Sequence, residues 1–190
     1  MTASFRRPLH ISLAGMLLAC GGNSLFHIEL EESSEAFVEG TGLLGSAVEL
    51  VGGLGFDGFT QMNIVNAEEL QNQGVSPGDI ESAELVELRL AVKNPSDGDM
   101  SFLDSMDIYV SAPDLDRVLV ASQNSFPEGS QEVYFELEGV NLVDYVVSEA
   151  LTITTDVVGT APVDDTTLEA SFVLDIGVTA QGACRAAKGE

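Results

Sequence analysis

The sequence predicts an all-β protein: an antiparallel β-sandwich, immunoglobulin-like or similar, with about eight strands and one or two short helices. Apolar and polar residues alternate along three long segments, and turn-forming Pro, Asp, Asn and Gly residues separate the segments. Helical periodicity is slight. Alternation with one polar face is typical of antiparallel sheets that bury a single face. Two such faces stacked against each other make a sandwich.

The three long alternating segments are predicted strands. They run from Val86 to Val92, from Glu132 to Glu138 and from Leu168 to Val178. Because side chains alternate between the two faces of a strand, the apolar set of each segment should face the core. In the first segment, the predicted inner face consists of every second residue, namely Val86, Leu88, Leu90 and Val92. We predict that the inner faces include Leu90, Phe135, Leu174 and Ile176.

Five shorter strands and a few helical turns complete the prediction. The short strands are Phe26–Leu30, Gly58–Ile64, Met106–Ala112, Val118–Ser122 and Leu151–Val157. Short helical turns are expected at Asn66–Gln71, Leu142–Ala150 and Leu43–Val51. The string Gly40–Gly45 matches the spacing of a dinucleotide-binding loop, but no alternating strand and helix units surround it. We interpret its glycines as turn residues.

The first twenty residues have the pattern of an export signal. Arg6 and Arg7 precede an apolar run from Ile11 to Ala19, and no acidic residue interrupts it. A cationic start, a short apolar stretch and small residues at its end predict a secretory signal peptide. The run is shorter than the roughly 20 residues that a membrane span requires.

Leu17-Leu18-Ala19-Cys20 resembles the lipobox of bacterial lipoproteins. The resemblance implies that Cys20 is the lipid attachment site, acylated by fatty acid such as palmitate, and the first residue of the mature protein. It also implies a membrane partner, reached through the lipid anchor. Gly21 is similar to the residue found in lipoproteins sent to the outer membrane, which favours that membrane over the inner one.

These features divide the chain into a signal peptide (residues 1–19), a lipidated cysteine with a flexible tether (20–25), one acidic sandwich domain (26–180) and a tail (181–190). The whole chain carries 31 Asp and Glu against 7 Lys and Arg, a net charge of −24. Without residues 1–19 the net charge is −26. This charge excludes nucleic acid as a partner, because phosphate binding needs clustered Lys and Arg. It reflects solubility or a saline habitat, or alternatively divalent-cation binding.

Few residues suggest chemistry. His27 alternates with Glu29 and Glu31, which predicts a surface position. Cys184 has no partner within the chain if Cys20 is acylated, so no disulfide framework is expected.

Carboxylates offer one further possibility. Asp97, Asp99 and Asp104 surround a turn that could coordinate Ca²⁺, and the pair of Asp114 and Asp116 gives a weaker signal. We interpret Asp97 as a turn residue and predict no catalytic residue, no metal ligand and no cofactor.

The sequence therefore favours a non-enzymatic lipoprotein of the cell envelope with a structural or binding role. Another envelope protein is one candidate partner. The alternatives are a Ca²⁺-dependent adhesion or ligand-binding module and a carboxylate-based hydrolase. The oligomeric state and the ligand do not follow from the sequence.

Overall fold

The computed structural model describes residues 25–42, 49–148 and 150–179. This part of the chain contains nine strands and two short helices. The strands are β1 (Leu25–Val38), β2 (Glu49–Gly52), β3 (Ile80–Asn94), β4 (Leu103–Ala112), β5 (Leu115–Gln123), β6 (Glu132–Tyr134), β7 (Glu136–Leu137), β8 (Thr152–Thr160) and β9 (Thr166–Thr179). The helices are α1 (Glu68–Asn72) and α2 (Val143–Val146), and 3₁₀ turns lie at Asp57–Phe59, Ile64–Asn66 and Pro77–Asp79.

The strands form two antiparallel sheets. One has the order β1-β9-β3-β6 and the other has the order β2-β8-β4-β5-β7. All of the strand pairs are antiparallel. The predicted antiparallel β-sandwich is thus confirmed, and along β9 the apolar residues of the predicted inner face are buried, whereas most residues of the other face are only partly buried.

The core lies between the two sheets. Leu90, Phe135, Leu174 and Ile176 are all buried, as predicted from the parity of their strands. The ring of Phe172 is fully enclosed, and its centroid lies 5.1 Å from that of Phe59, which belongs to a 3₁₀ turn. Burying a large apolar side chain stabilises a fold by about 1.5–3 kcal/mol, so these inner faces provide the main driving force for folding.

The longest ladder joins the first strand to the last. β1 and β9 pair over 14 residues each, from Leu25 opposite Thr179 to Val38 opposite Thr166. We call the end of the sandwich that holds Leu25 and Thr179 the entry end, and the end that holds Val38 and Thr166 the far end. At about 3.4 Å per residue, the two ends lie roughly 45 Å apart along β1.

Four predictions at the level of elements need correction. The predicted strand Glu132–Glu138 is divided into β6, at the edge of the first sheet, and β7, at the edge of the second. Gly58–Ile64 is not a strand: it contains the end of one 3₁₀ turn and the start of a second, and only Met62 pairs, through one isolated bridge to Leu151. Its glycine and its phenylalanine serve a turn that packs Phe59 into the core. The predicted helix Leu43–Val51 is contradicted at its end, because Glu49–Gly52 is strand β2, paired with β8. Residues 43–48 lie outside the described part.

The face assigned to Val86 is also wrong. Its side chain is 46% exposed, whereas Leu88 and Leu90 are buried. The ladder between β3 and β9 shifts its register between Leu85 and Glu87. A bulge adds one residue to a strand and reverses the parity on one side of it. Simple alternation therefore holds only after the bulge.

The other two helical predictions are confirmed with shorter bounds. The predicted turn at Asn66–Gln71 corresponds to α1, which begins at Glu68. The side chain that caps this region belongs to Asn63, which accepts a hydrogen bond from the backbone N–H of Asn66 at the start of the preceding 3₁₀ turn. The turn predicted in Leu142–Ala150 is α2, and it buries Val146.

Candidate functional site

The predicted lipid attachment residue, Cys20, and its counterpart in the tail, Cys184, lie outside the described residues. The structure does define where both connections to the domain begin. Leu25 is paired with Thr179, so the first and last described residues lie side by side at the entry end. Among the described residues, no helix is long and apolar enough to cross a membrane.

His27 lies on the outer face of β1, as predicted. Its Nδ1 is 2.9 Å from both carboxylate oxygens of Asp175, which is on the neighbouring strand β9. The imidazole is more than half exposed. In register, Glu29 lies opposite Asp175, and Asp175 lies opposite Glu84 on β3. The contact between His27 and Asp175 thus places an imidazole beside a row of carboxylates.

The three aspartates of the candidate Ca²⁺ turn have different roles. Asp97 and Asp104 are exposed, whereas Asp99 is partly buried and accepts three hydrogen bonds. These come from the backbone N–H of Ser101 at 3.0 Å, from its hydroxyl at 2.6 Å and from the backbone N–H of Gly129 at 2.7 Å. The Ser101 hydroxyl is the main cause of the lowered pKa of the Asp99 carboxyl, and the two backbone N–H groups add to it.

Asp99 therefore joins two loops of the far end. Its own loop connects β3 to β4, and Gly129 belongs to the connection between β5 and β6. The amide of Gln131, in the connection between β5 and β6, donates to the carbonyls of Ser96 and Gly98 and so joins the same two loops. Within the described ranges, no group of three or more His, Cys, Asp or Glu side chains is arranged to hold a metal ion. Asp97, Asp99 and Asp104 are thus neighbours in sequence without forming a ligand set there.

Every Lys and Arg of the described residues contacts a carboxylate of the same chain. The Arg89 guanidinium lies 2.7 Å from Glu132 and 3.7 Å from Glu169, and Lys93 lies 3.2 Å from Glu169. All of these residues lie on the outer face of the first sheet. Because surface ion pairs of this kind contribute only about 0–1 kcal/mol each, they matter chiefly for the distribution of charge.

Arg117 forms a more elaborate contact on the outer face of the second sheet. Its two terminal nitrogens each lie 2.9 Å from an oxygen of Asp156, and its Nε donates to the hydroxyl of Thr154. The guanidinium also stacks 3.6 Å above the ring of Tyr109. The side chain therefore reaches from β5 across β4 to β8. The hydrogen bond from Arg117 lowers the pKa of the Asp156 carboxyl.

Cavities inside the sandwich are small. Two apolar gaps between the sheets measure about 10 and 20 Å³, and they touch core residues such as Phe172. A space of this size holds at most about one water molecule, so neither gap can take a ligand.

A larger cleft of about 330 Å³ opens at the far end. Two connections form its walls. The loop between β3 and β4 contributes Pro95, Gly98, Asp99, Ser101 and Phe102, and the region between β8 and β9 contributes Thr160, Ala161, Pro162, Val163, Asp164 and Thr166. Sequence reasoning did not predict this cleft, because its walls come from loops about 60 residues apart in the chain. Their turn residues signalled only that each was a loop.

Residues 40–42 form hydrogen bonds with the second wall, which is the region between β8 and β9. The backbone N–H groups of Thr41 and Gly42 donate to the carbonyls of Pro162 and Val163, at 2.9 and 2.8 Å. The carboxylate of Asp165 accepts a hydrogen bond from the N–H of Gly40. A Cβ atom at position 40 would overlap the backbone of Asp164, so this close approach requires glycine. Gly42 has a φ of 69°, which fits the predicted role of these glycines in a turn.

Comparisons with known proteins show little. No protein-family model matches the chain, and no curated protein matches it. Among solved structures, the chain is similar to a crystal structure of the decameric BFDV capsid protein, with 9% identity and a TM-score of 0.43 over 82% of this chain and 99% of that one. A second, a 60-mer of BFDV capsid protein, has 8% identity and a TM-score of 0.39 over 83% and 94% of the two chains.

Proposed function

We propose that this protein is an exported lipoprotein, anchored to a membrane through Cys20, with a non-enzymatic structural or binding role in the cell envelope. One observation carries the proposal: the lipobox-like Leu17–Cys20 directly follows a cationic, short apolar leader. The described fold is compatible with it, because the first strand begins only five residues after Cys20. A lipid on Cys20 would hold the sandwich close to the membrane by its entry end.

The outer membrane is the proposed destination, where the host has one, because Gly21 rather than Asp follows the cysteine. A single acyl chain binds a bilayer only marginally, whereas two or more chains hold a protein firmly. The proposal therefore requires the multiple acylation that is typical of lipoproteins. A domain of net charge −26 would be repelled by anionic headgroups and would extend away from them.

Cysteine substitutions test the anchor. Cells that express the parent, Cys20→Ser or Cys184→Ser are labelled with a fatty acid analogue and separated into soluble and membrane fractions. We expect label and membrane association in the parent and in Cys184→Ser. Cys20→Ser should lose the label, and it should either become soluble or keep its leader uncut. Cys184→Ser is the matched control, because it removes the other cysteine of the chain. Equal labelling of all three proteins would refute the proposal.

A further inference from the structure

The cleft at the far end has the composition of a site for a cationic side chain with an apolar stem. Phe102, Pro95 and Val163 supply apolar surface, and Val163 is 49% exposed. Each of the two walls contains one acidic residue, Asp99 on the first and Asp164 on the second, and Ser101 and Thr160 are further polar lining residues. Lysine and arginine bury their methylene stems on apolar surface and keep their charge beside polar groups.

We propose that this cleft binds a basic, extended segment of a partner protein through one lysine or arginine side chain. The volume of about 330 Å³ lies at the lower end of the range for ligand pockets, so it accepts one or two side chains and not a folded domain. Charge complementarity selects the occupant. Every Lys and Arg of the described residues already contacts a carboxylate of the sheets, so none of these side chains supplies the cation for this cleft.

The walls of the cleft are held in place before any partner arrives. Asp99 is fixed by Ser101 and Gly129, and the backbone N–H of Thr160 donates to the carbonyl of Phe102 at 2.8 Å, which ties one wall to the other. On the second wall, the hydroxyl of Thr166 donates to the carbonyl of Asp164. A preformed site loses little conformational entropy on binding.

The position of the cleft extends the proposed function and rests on it. An anchor at Cys20 holds the entry end near the membrane, and the cleft lies at the opposite end, roughly 45 Å away along β1. The lipoprotein would therefore present the cleft to proteins on the side away from its own membrane. Binding itself does not depend on the lipid, so the two ideas can fail separately.

Peptide binding to the full chain in detergent micelles tests the proposal. The probes are the capped tripeptides Ala-Lys-Ala and Ala-Arg-Ala, and the uncharged norleucine and citrulline versions are their controls. Backbone amide shifts of the protein report the location of binding. We expect saturable, millimolar binding of the cationic peptides, with the largest shifts at Ser101, Phe102, Thr160 and Val163, and no saturation with the neutral peptides.

Two matched substitutions separate the cleft from the general acidity of the surface. Asp164→Asn removes one exposed carboxylate from the cleft, and Asp114→Asn removes one from the β4–β5 turn at the entry end. We expect Asp164→Asn to weaken binding about twofold to fivefold and Asp114→Asn to leave it unchanged. Equal effects, or shifts spread over all acidic faces, would overturn the proposal. Shifts that CaCl₂ reproduces and the peptides do not would also overturn it, in favour of a metal site.

Fatty acid labelling of Asp164→Asn tests the lipid anchor at Cys20 separately from the binding cleft at the far end. If Cys20 is the lipid anchor, this variant should be labelled normally whether or not it binds the peptides. Loss of peptide binding with normal labelling would support both, whereas peptide binding by a protein that is never labelled would refute the anchor alone.

Discussion

Individual acidic side chains of this protein differ in what they do for stability, although the sequence presents them as one excess. Asp99 accepts three hydrogen bonds, whereas Asp97, two residues earlier, is exposed. Loss of the Asp99 charge should therefore destabilise the far end. Loss of the Asp97 charge should be neutral or slightly favourable, because it relieves repulsion in a strongly acidic domain.

We predict that Asp99→Ala costs about 1 kcal/mol of unfolding free energy, given that its partners are partly solvated, and that Asp97→Ala changes it by less than about 0.5 kcal/mol. Urea unfolding at neutral pH measures both. The lowered pKa of Asp99 adds a pH test. Its contribution is present above the unfolded pKa and is lost as pH falls through the folded pKa, so the gap between the parent and Asp99→Ala should close in acid. Equal costs for the two variants would contradict this role.

Glu32 provides the opposite case. Burial is the main cause of its raised pKa, and the nearby charge of Glu69 adds to it. A raised pKa means that ionised Glu32 opposes folding at neutral pH, and that this cost fades as pH falls through the folded pKa towards the unfolded one.

We predict that Glu32→Gln stabilises the protein at neutral pH and that its advantage disappears below the unfolded pKa of a glutamate. Thermal unfolding across a pH series measures the difference. Glu31→Gln, on the exposed side of the same strand, is the control. If the advantage of Glu32→Gln stayed constant down to the lowest pH, its origin would not be the ionised carboxylate.

The sequence predicted strands better than any other feature, but it did not predict the bulges that interrupt their alternation. Long alternation identified β9 and the second half of β3 with the correct inner faces, because burial on one side fixes the parity of a strand. Val86 was misassigned, since a bulge depends on the partner strand and leaves no local signal. Gly58–Ile64 had apolar residues at strand spacing, but they pack from 3₁₀ turns. The cleft was missed for the related reason that tertiary structure alone unites its two loops.

The parity of the segment around Phe135 gives a direct test of register. Phe135 is buried, its backbone N–H donates to the carbonyl of Leu88, and its ring lies 6.3 Å from that of Phe126. We predict that Phe135→Ala costs about 3–5 kcal/mol and that Glu136→Ala, whose side chain is exposed, costs less than about 0.5 kcal/mol. Chemical denaturation measures both values. Similar costs would show that the inner and outer faces are exchanged at this point.

The register of β1 and β9 limits how far apart the two cysteines can start from the described domain. Leu25 lies opposite Thr179. Cys20 precedes Leu25 by five residues, and Cys184 follows Thr179 by five. Each connecting span can extend up to about 17 Å, so the two thiols can meet. A disulfide and a lipid thioether exclude each other, because each uses the sulfur of Cys20.

We therefore predict that full-length chain made in a reducing compartment, where Cys20 is not acylated, forms an intramolecular Cys20–Cys184 disulfide when it is oxidised at low protein concentration. Mass spectrometry of peptides from the nonreduced protein detects the bond. The acylated protein should instead keep Cys184 as a thiol that reacts with alkylating agents. Dimers linked through cysteine in the dilute oxidised sample, without the internal bond, would contradict the expected proximity.

The molecule combines a well-filled core with a surface on which negative charge predominates. Arg89, Lys93 and Arg117 are the Lys and Arg side chains of the described residues, and each contacts a carboxylate, so acidic side chains far outnumber cationic ones in that part of the chain. Some carboxylates even face each other across strands, as Glu29, Asp175 and Glu84 do. Like charges placed directly opposite each other in a sheet destabilise it. The fold therefore carries an electrostatic cost that depends on its surroundings.

Salt should lower that electrostatic cost. Comparing different cations distinguishes general screening from binding at a specific site. At 0.15 M ionic strength the screening length is about 8 Å, and at 1 M it is about 3 Å, which is shorter than the spacing of facing carboxylates. We predict that the melting temperature rises steadily as NaCl increases from 0.05 M to about 1 M, since the unfolded chain spreads the same charges further apart. MgCl₂ and CaCl₂ at equal ionic strength should raise it by similar amounts, because screening depends on charge and not on coordination geometry. A much larger rise with CaCl₂ at millimolar concentration, abolished in a variant that combines Asp97→Asn with Asp104→Asn, would instead show a specific Ca²⁺ site. Those two substitutions spare Asp99, so a structural effect on the far end would not be mistaken for the loss of a ligand.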